Sequence, residues 1–284
     1  MSYSNRIRIG FASTALFALA SVLGGCALQA GTGISTPDDE VNAAFTASAL
    51  TSYTAEYTWE QGKPSKRMLP SASNVCFLTG IHGTFASTAE RVKISNVHGF
   101  WYLTGSSHQV GVGATARCFP YDGSKIVATQ INESTAGSDL DLGAHRVCAL
   151  SRVSGAFQSN GDVVKVYPGD NGHWFLQTTT AATAVNGAAL CLDDMPTAAL
   201  GVSGILEAKA GDAVLAAANL APNQALPSEP LRGSACFLTR MTGKFADPGD
   251  RVEAFPAQAA GAWNFYLRAQ GSSPDVATSA ICLN

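Results

Sequence analysis

Residues 76–85 read CFLTGIHGTF, residues 148–157 read CALSRVSGAF and residues 236–245 read CFLTRMTGKF. Three versions of one decapeptide in a chain of 284 residues mark an internal repeat. Aligned on the leading cysteine, the repeat runs well past ten positions. Leu recurs two residues on (Leu78, Leu150, Leu238), Gly seven on (Gly83, Gly155, Gly243) and Phe nine on (Phe85, Phe157, Phe245). An acid follows at fourteen (Glu90, Asp162, Asp250) and Val at sixteen (Val92, Val164, Val252). Each copy then carries Gly-x-Trp (Trp101, Trp174, Trp263), a Leu (Leu103, Leu176, Leu267) and a closing Ala-x-Cys (Cys118, Cys191, Cys282).

The pairs Cys76 and Leu78, Val92 and Ile94, Trp101 and Leu103, and Ala116 and Cys118 are each two residues apart. That is the strand period, which places both members on one face. Between them stand turn sequences: SNGD and DPGD before the acid, and His98-Gly99 or Asn171-Gly172 before the Trp. Each unit therefore reads as a strand, a turn, a β-hairpin and a closing strand, and the fold class as all-β. Trp, Leu and Val share the face of both cysteines, so one disulfide per repeat is expected: Cys76–Cys118, Cys148–Cys191 and Cys236–Cys282. The cysteines are 42, 43 and 46 residues apart. A closed loop of that size stabilises by ~4 kcal/mol in the chain-entropy view, a useful staple for a unit with a thin core.

The linkers carry a fainter echo in TAEYTWEQ, KIVATQIN and DAVLAAAN, each upstream of a leading cysteine. Including them gives homologous units of about 70 residues at 53–119, 120–192 and 193–284, the last with an insertion at 193–212. Three such units are expected either as beads or as one pseudo-threefold body. A β-trefoil is disfavoured, because these repeats are longer and disulfide-stapled.

The N-terminus carries Arg6 and Arg8, then the apolar run IGFASTALFALASVL, ending in Leu23-Gly24-Gly25-Cys26. The run has the length of a signal-peptide core and is short for a membrane span. The tetrapeptide resembles the bacterial lipobox. That resemblance implies a signal peptide at 1–25, diacylation of Cys26 and attachment to the membrane through that lipid alone. Ala27, in place of Asp, points to the outer membrane of a Gram-negative host. Residues 26–52, rich in Ala, Ser and Thr, read as a flexible tether. Setting Cys26 aside leaves six of the seven cysteines, an even set.

The formal net charge is −3, and the leader holds two arginines and no acid, so the mature chain is more acidic still. With no basic block, nucleic acid is not an expected partner. The low charged fraction, 14%, together with abundant Gly, Ala, Ser and Thr, suits an exported β protein.

Candidate chemistry is sparse. His82, His98 and His108 belong to the first repeat only and lack metal-ligand spacing, so no metal or cofactor is expected. Gly201-Val202-Ser203-Gly204 falls short of a nucleophile elbow. Asp139, Asp141, Asp193, Asp194 and Glu207 are available to a glycoside hydrolase, though spacing selects no pair. The recurring acid reads either as a ligand contact used three times or as a turn residue. Tyr102, Phe175 and Tyr266 lie beside the recurring Leu and are the candidate binding rings. The expectation is a non-enzymatic envelope lipoprotein whose partner is a glycan, peptidoglycan or another protein. The alternative is a polysaccharide hydrolase using acids in the linkers.

Overall fold

The computed structural model describes residues 56–123, 126–127, 139–180, 185–194, 205–210, 235–259 and 262–283. The lipobox, the tether, Gly201–Gly204 and DAVLAAAN lie outside them. The first repeat supplies β1 (Glu56–Glu60), β2 (Lys66–Pro70), β3 (Asn74–His82), β4 (Arg91–Val97), β5 (Phe100–Ser106) and β6 (Gly113–Pro120). The second supplies β7 (Ile126–Val127), β8 (Asp139–Gly143), β9 (Val147–Gly155), β10 (Val163–Pro168), β11 (Trp174–Thr179) and β12 (Val185–Leu192). The third supplies β13 (Leu206–Lys209), β14 (Ala235–Thr242), β15 (Arg251–Ala259), β16 (Ala262–Gln270) and β17 (Ala277–Leu283). There is no α-helix among the described residues.

These strands form three antiparallel sheets, and no sheet belongs to one repeat. Sheet 1 runs β1-β6-β3-β15-β16, sheet 2 runs β2-β5-β4-β9-β12-β7 and sheet 3 runs β13-β17-β14-β10-β11-β8. In each, the cysteine strands of one repeat continue into the hairpin of another. The register is the same at all three junctions: Ile81 faces Val252, Val153 faces Val92 and Met241 faces Val164. The exchange is cyclic, so the repeats make one pseudo-threefold body and not beads on a string. The disulfides Cys76–Cys118, Cys148–Cys191 and Cys236–Cys282 join directly opposed residues of β3 and β6, β9 and β12, and β14 and β17. Each closed loop contains the hairpin that its repeat lends to the next sheet.

The recurring Gly and Phe sit where the copies meet. The rings of Phe85, Phe157 and Phe245 lie edge to face around one point, with centroids 5.9, 6.0 and 6.1 Å apart. Their backbones form a closed cycle. Phe157 N–H donates to Phe85 O at 2.8 Å, Phe245 to Phe157 at 2.9 Å and Phe85 to Phe245 at 3.0 Å. Two residues earlier, Gly83, Gly155 and Gly243 adopt φ of 101°, 112° and 100°, a region that side chains avoid. Their N–H groups donate to the carbonyls of Asp250, Glu90 and Asp162, each on a neighbouring repeat. A Cβ on Gly83 would stand 2.2 Å from the Gly111 carbonyl oxygen. The decapeptide therefore recurs because it is the contact between copies as well as a core strand.

The first cysteine strand of each repeat carries a one-residue bulge, at Thr79, Ser151 and Thr239. It resets the alternation, so that Leu78 and Ile81, three apart, share the cysteine face. The opposite strand face is core as well near the cysteines: Phe77, Phe119 and Phe237 cluster there, with centroids 4.6 and 5.4 Å from Phe237. The linker echo also shifts. β1 lies on β6 as β13 lies on β17, and Gln61 N–H to Val112 O matches Ala210 N–H to Val276 O. The third outer strand is thus Leu206–Lys209, upstream of DAVLAAAN.

Candidate functional site: the outer sheet faces

The recurring acid is a turn residue. Glu90 and Asp162 are fully buried and Asp250 is 1% exposed. Asp162 accepts from Gln158 N at 2.8 Å, Ser159 N at 2.7 Å and Thr180 Oγ1 at 3.0 Å. Asp250 accepts from Ala246 N at 2.7 Å, Asp247 N at 2.9 Å and Ser272 N at 2.7 Å. Glu90 does the same with Ser87 N and His108 N. All three carboxylates are saturated by their own loops and none faces solvent.

The histidines are dispersed. His82 Nε2 meets Glu60 at 3.2 Å, and His98 occupies a turn at φ 50°. No group of three His, Cys, Asp or Glu among the described residues is placed to hold a metal ion. The five linker acids do not converge on one cleft. Glu207 and Asp139 stand on opposite edge strands of six-stranded sheet 3, roughly 24 Å apart across five strand spacings. Asp193 is spent on His145 at 2.6 Å, and the backbone carbonyl of Asp194 accepts from Tyr121. Asp139 and Asp141 share one side of edge strand β8, but both are exposed. Asp141 is already bound to His173 and the Gly143 N–H.

That last cluster sets a pH dependence. The hydrogen bond from His173, and then that from Gly143, hold the Asp141 carboxyl below the usual carboxylate range. A depressed folded value means the contribution is present above the ordinary carboxylate pKa and is lost as pH falls through the folded one. In an NMR titration, His173→Gln is expected to return Asp141 toward the ordinary value. An unchanged titration would remove His173 as the cause.

The rings on the hairpins divide by face. Trp101 and Trp174 are buried, their indole N–H groups donating to the carbonyls of Asn74 at 2.7 Å and His145 at 2.9 Å. Tyr102 and Phe175, the next residues, are half-buried and point to the opposite side. Tyr266 occupies the equivalent position in the third repeat but is only 6% exposed, packed beside Phe255 across the strand. The expectation of a binding ring fails there.

On sheet 3 the outer face carries an aromatic platform. Phe175 and Tyr167 face each other across β10 and β11, their rings stacked at 5.7 Å, and Lys165 Nζ lies 4.3 Å from the Tyr167 ring centre. Burial, with Asp139 alongside, raises the Tyr167 phenol above its usual value. Gly169 makes room for the platform, since a Cβ there would stand 2.5 Å from the Phe175 ring. Beside it run two shallow grooves of about 260 and 460 Å³ that share Glu207 and Arg240. Comparison with protein-family models, curated proteins and solved structures finds no match.

Proposed function

We propose that this chain is an exported lipoprotein, anchored through Cys26, whose β-body recognises an envelope polysaccharide without cleaving it. The observation that carries the reading is the Tyr167–Phe175 platform beside a groove lined by Lys165, Gln177, Glu207 and Arg240, a surface suited to the apolar face of a sugar ring. The hydrolase alternative requires two carboxylates in one cleft, and the linker acids are scattered or committed to histidines. Three disulfides fit an oxidising, extracytoplasmic compartment. Among the described residues no helix is long and apolar enough to cross a membrane.

The test is retention of the oxidised chain from residue 27, which keeps every described strand, on purified cell-wall and surface polysaccharides. The recovered polymer is then sized. Retention at unchanged polymer length is expected, with Phe175→Ala weakening it about five-fold at an unchanged melting temperature. Shortened polymer would reinstate the hydrolase. A large fall in melting temperature would make Phe175 part of the core.

A further inference from the structure

Sheet 3 carries a continuous row of polar side chains across its outer face. The registers place Glu207 beside Ser279, Ser279 beside Arg240, Arg240 beside Lys165, Lys165 beside Gln177 and Gln177 beside Asp139. The row crosses all six strands, at right angles to them. All of its members but Asp139 line the smaller groove, of about 260 Å³. The equivalent row in sheet 1 passes Gly80, which has no side chain to offer. In sheet 2 it ends at Ala188 among the described residues.

Charge decides what such a row can hold. Glu207 and Asp139 are carboxylates and Arg240 and Lys165 are cations, so the row sums to zero, and Arg240 already reaches Glu207 at 3.4 Å. A polyanion therefore gains little net attraction from it. What the row supplies is hydrogen bonding of both kinds. Carboxylates only accept, Arg and Lys only donate, and Ser and Gln do both. A sugar hydroxyl also does both, so adjacent hydroxyls of one ring can meet Glu207 and Arg240 together. Thr239, fully buried, belongs to the same groove lining, and its hydroxyl has no hydrogen-bond partner among the described residues. The equivalent Thr79 shares a hydrogen bond with Thr115 at 3.1 Å, so the first repeat avoids a cost that the third carries. Tyr167 and Phe175 stand two residues beyond Lys165 and Gln177, roughly 7 Å away, so the aromatic platform runs parallel to the row.

Resting on the polysaccharide reading above, we propose that the outer face of sheet 3 takes an uncharged polysaccharide laid across the strands, with adjacent hydroxyls of one sugar on Glu207 and Arg240 and a neighbouring ring against Tyr167 and Phe175. Donors and acceptors in balance beside two aromatic rings match a polymer that alternates hydroxyls with apolar ring faces. A charged polymer would leave either the carboxylates or the cations of the row opposed to it.

The probes are pullulan and hydroxyethyl cellulose, both uncharged, and polygalacturonate, each titrated with the oxidised chain from residue 27. Retention of an uncharged polymer is expected, with an affinity that changes less than about two-fold between about 0.05 and 0.5 M salt. Glu207→Ala should weaken it about ten-fold. The melting temperature should stay unchanged, because the pair with Arg240 is exposed and contributes little to stability. Arg240→Lys keeps the charge but loses the planar fork of donors, and should weaken binding as well. Uncharged-polymer binding that neither variant reduces would overturn the assignment and leave the polysaccharide reading standing. Binding of polygalacturonate that weakens with salt, alone or tighter than either uncharged polymer, would do the same. Retention of none of the three polymers would sink both.

Discussion

Removing the third repeat, by ending the chain at residue 204, is expected to unfold the first two repeats rather than leave a shorter stable protein. The two remaining disulfides, Cys76–Cys118 and Cys148–Cys191, lie entirely in the retained part, so a lost staple is not the cause. The loss comes from exchange. β3 would lose β15, β10 would lose β14, and two open strand edges would replace continuous sheets. Phe85 and Phe157 would lose Phe245 at the axis, and Phe77 and Phe119 would lose Phe237. Exposing these four buried aromatic rings costs roughly 10 kcal/mol at ordinary transfer values. That is comparable to the whole stability of a typical domain. Circular dichroism melts and amide dispersion of residues 27–204 check it. A cooperative melt within about 5 °C of the full chain would mean that the repeats are independent after all.

That exchange is also the part of the fold that the sequence conceals. The spacing of Cys, Leu, Val and Trp shows strands and faces, and a shared face is enough to pair Cys76 with Cys118. It does not show whose cysteine strand a hairpin joins, because Val92 would fit beside Ile81 of its own repeat as well as beside Val153 of the next. The bulge at Thr79 is equally silent: Thr79 is an ordinary strand former, and only the pairing reveals the extra residue. Tyr102 and Phe175 are legible because each follows a buried Trp and so faces the other way. Tyr266 is misleading because it is only 6% exposed, which its place before Leu267 does not show.

Asp162→Ala is expected to destabilise the protein by about 4 kcal/mol, among the largest effects of any single side chain outside the hydrophobic core. The carboxylate is fully buried and holds three donors: the Gln158 and Ser159 N–H groups and the Thr180 hydroxyl. Hydrogen bonds to a charged group contribute about 1.5–3 kcal/mol each, and truncation removes the shared acceptor of three part-buried ones. The effect also passes to the next repeat. The backbone carbonyl of Asp162 accepts from Gly243 N–H at 3.1 Å and from Thr242 Oγ1 at 3.0 Å, so a loosened turn releases the third repeat at the axis. Asp162→Asn keeps one acceptor oxygen and the shape of the side chain, and should cost less. The midpoint of urea unfolding, measured with all disulfides intact, distinguishes the two. If Asp162→Ala moved that midpoint no more than an exposed-face substitution such as Gln177→Ala, the acid would not be a structural cap. The threefold recurrence of an acid at this position would then need a ligand to explain it.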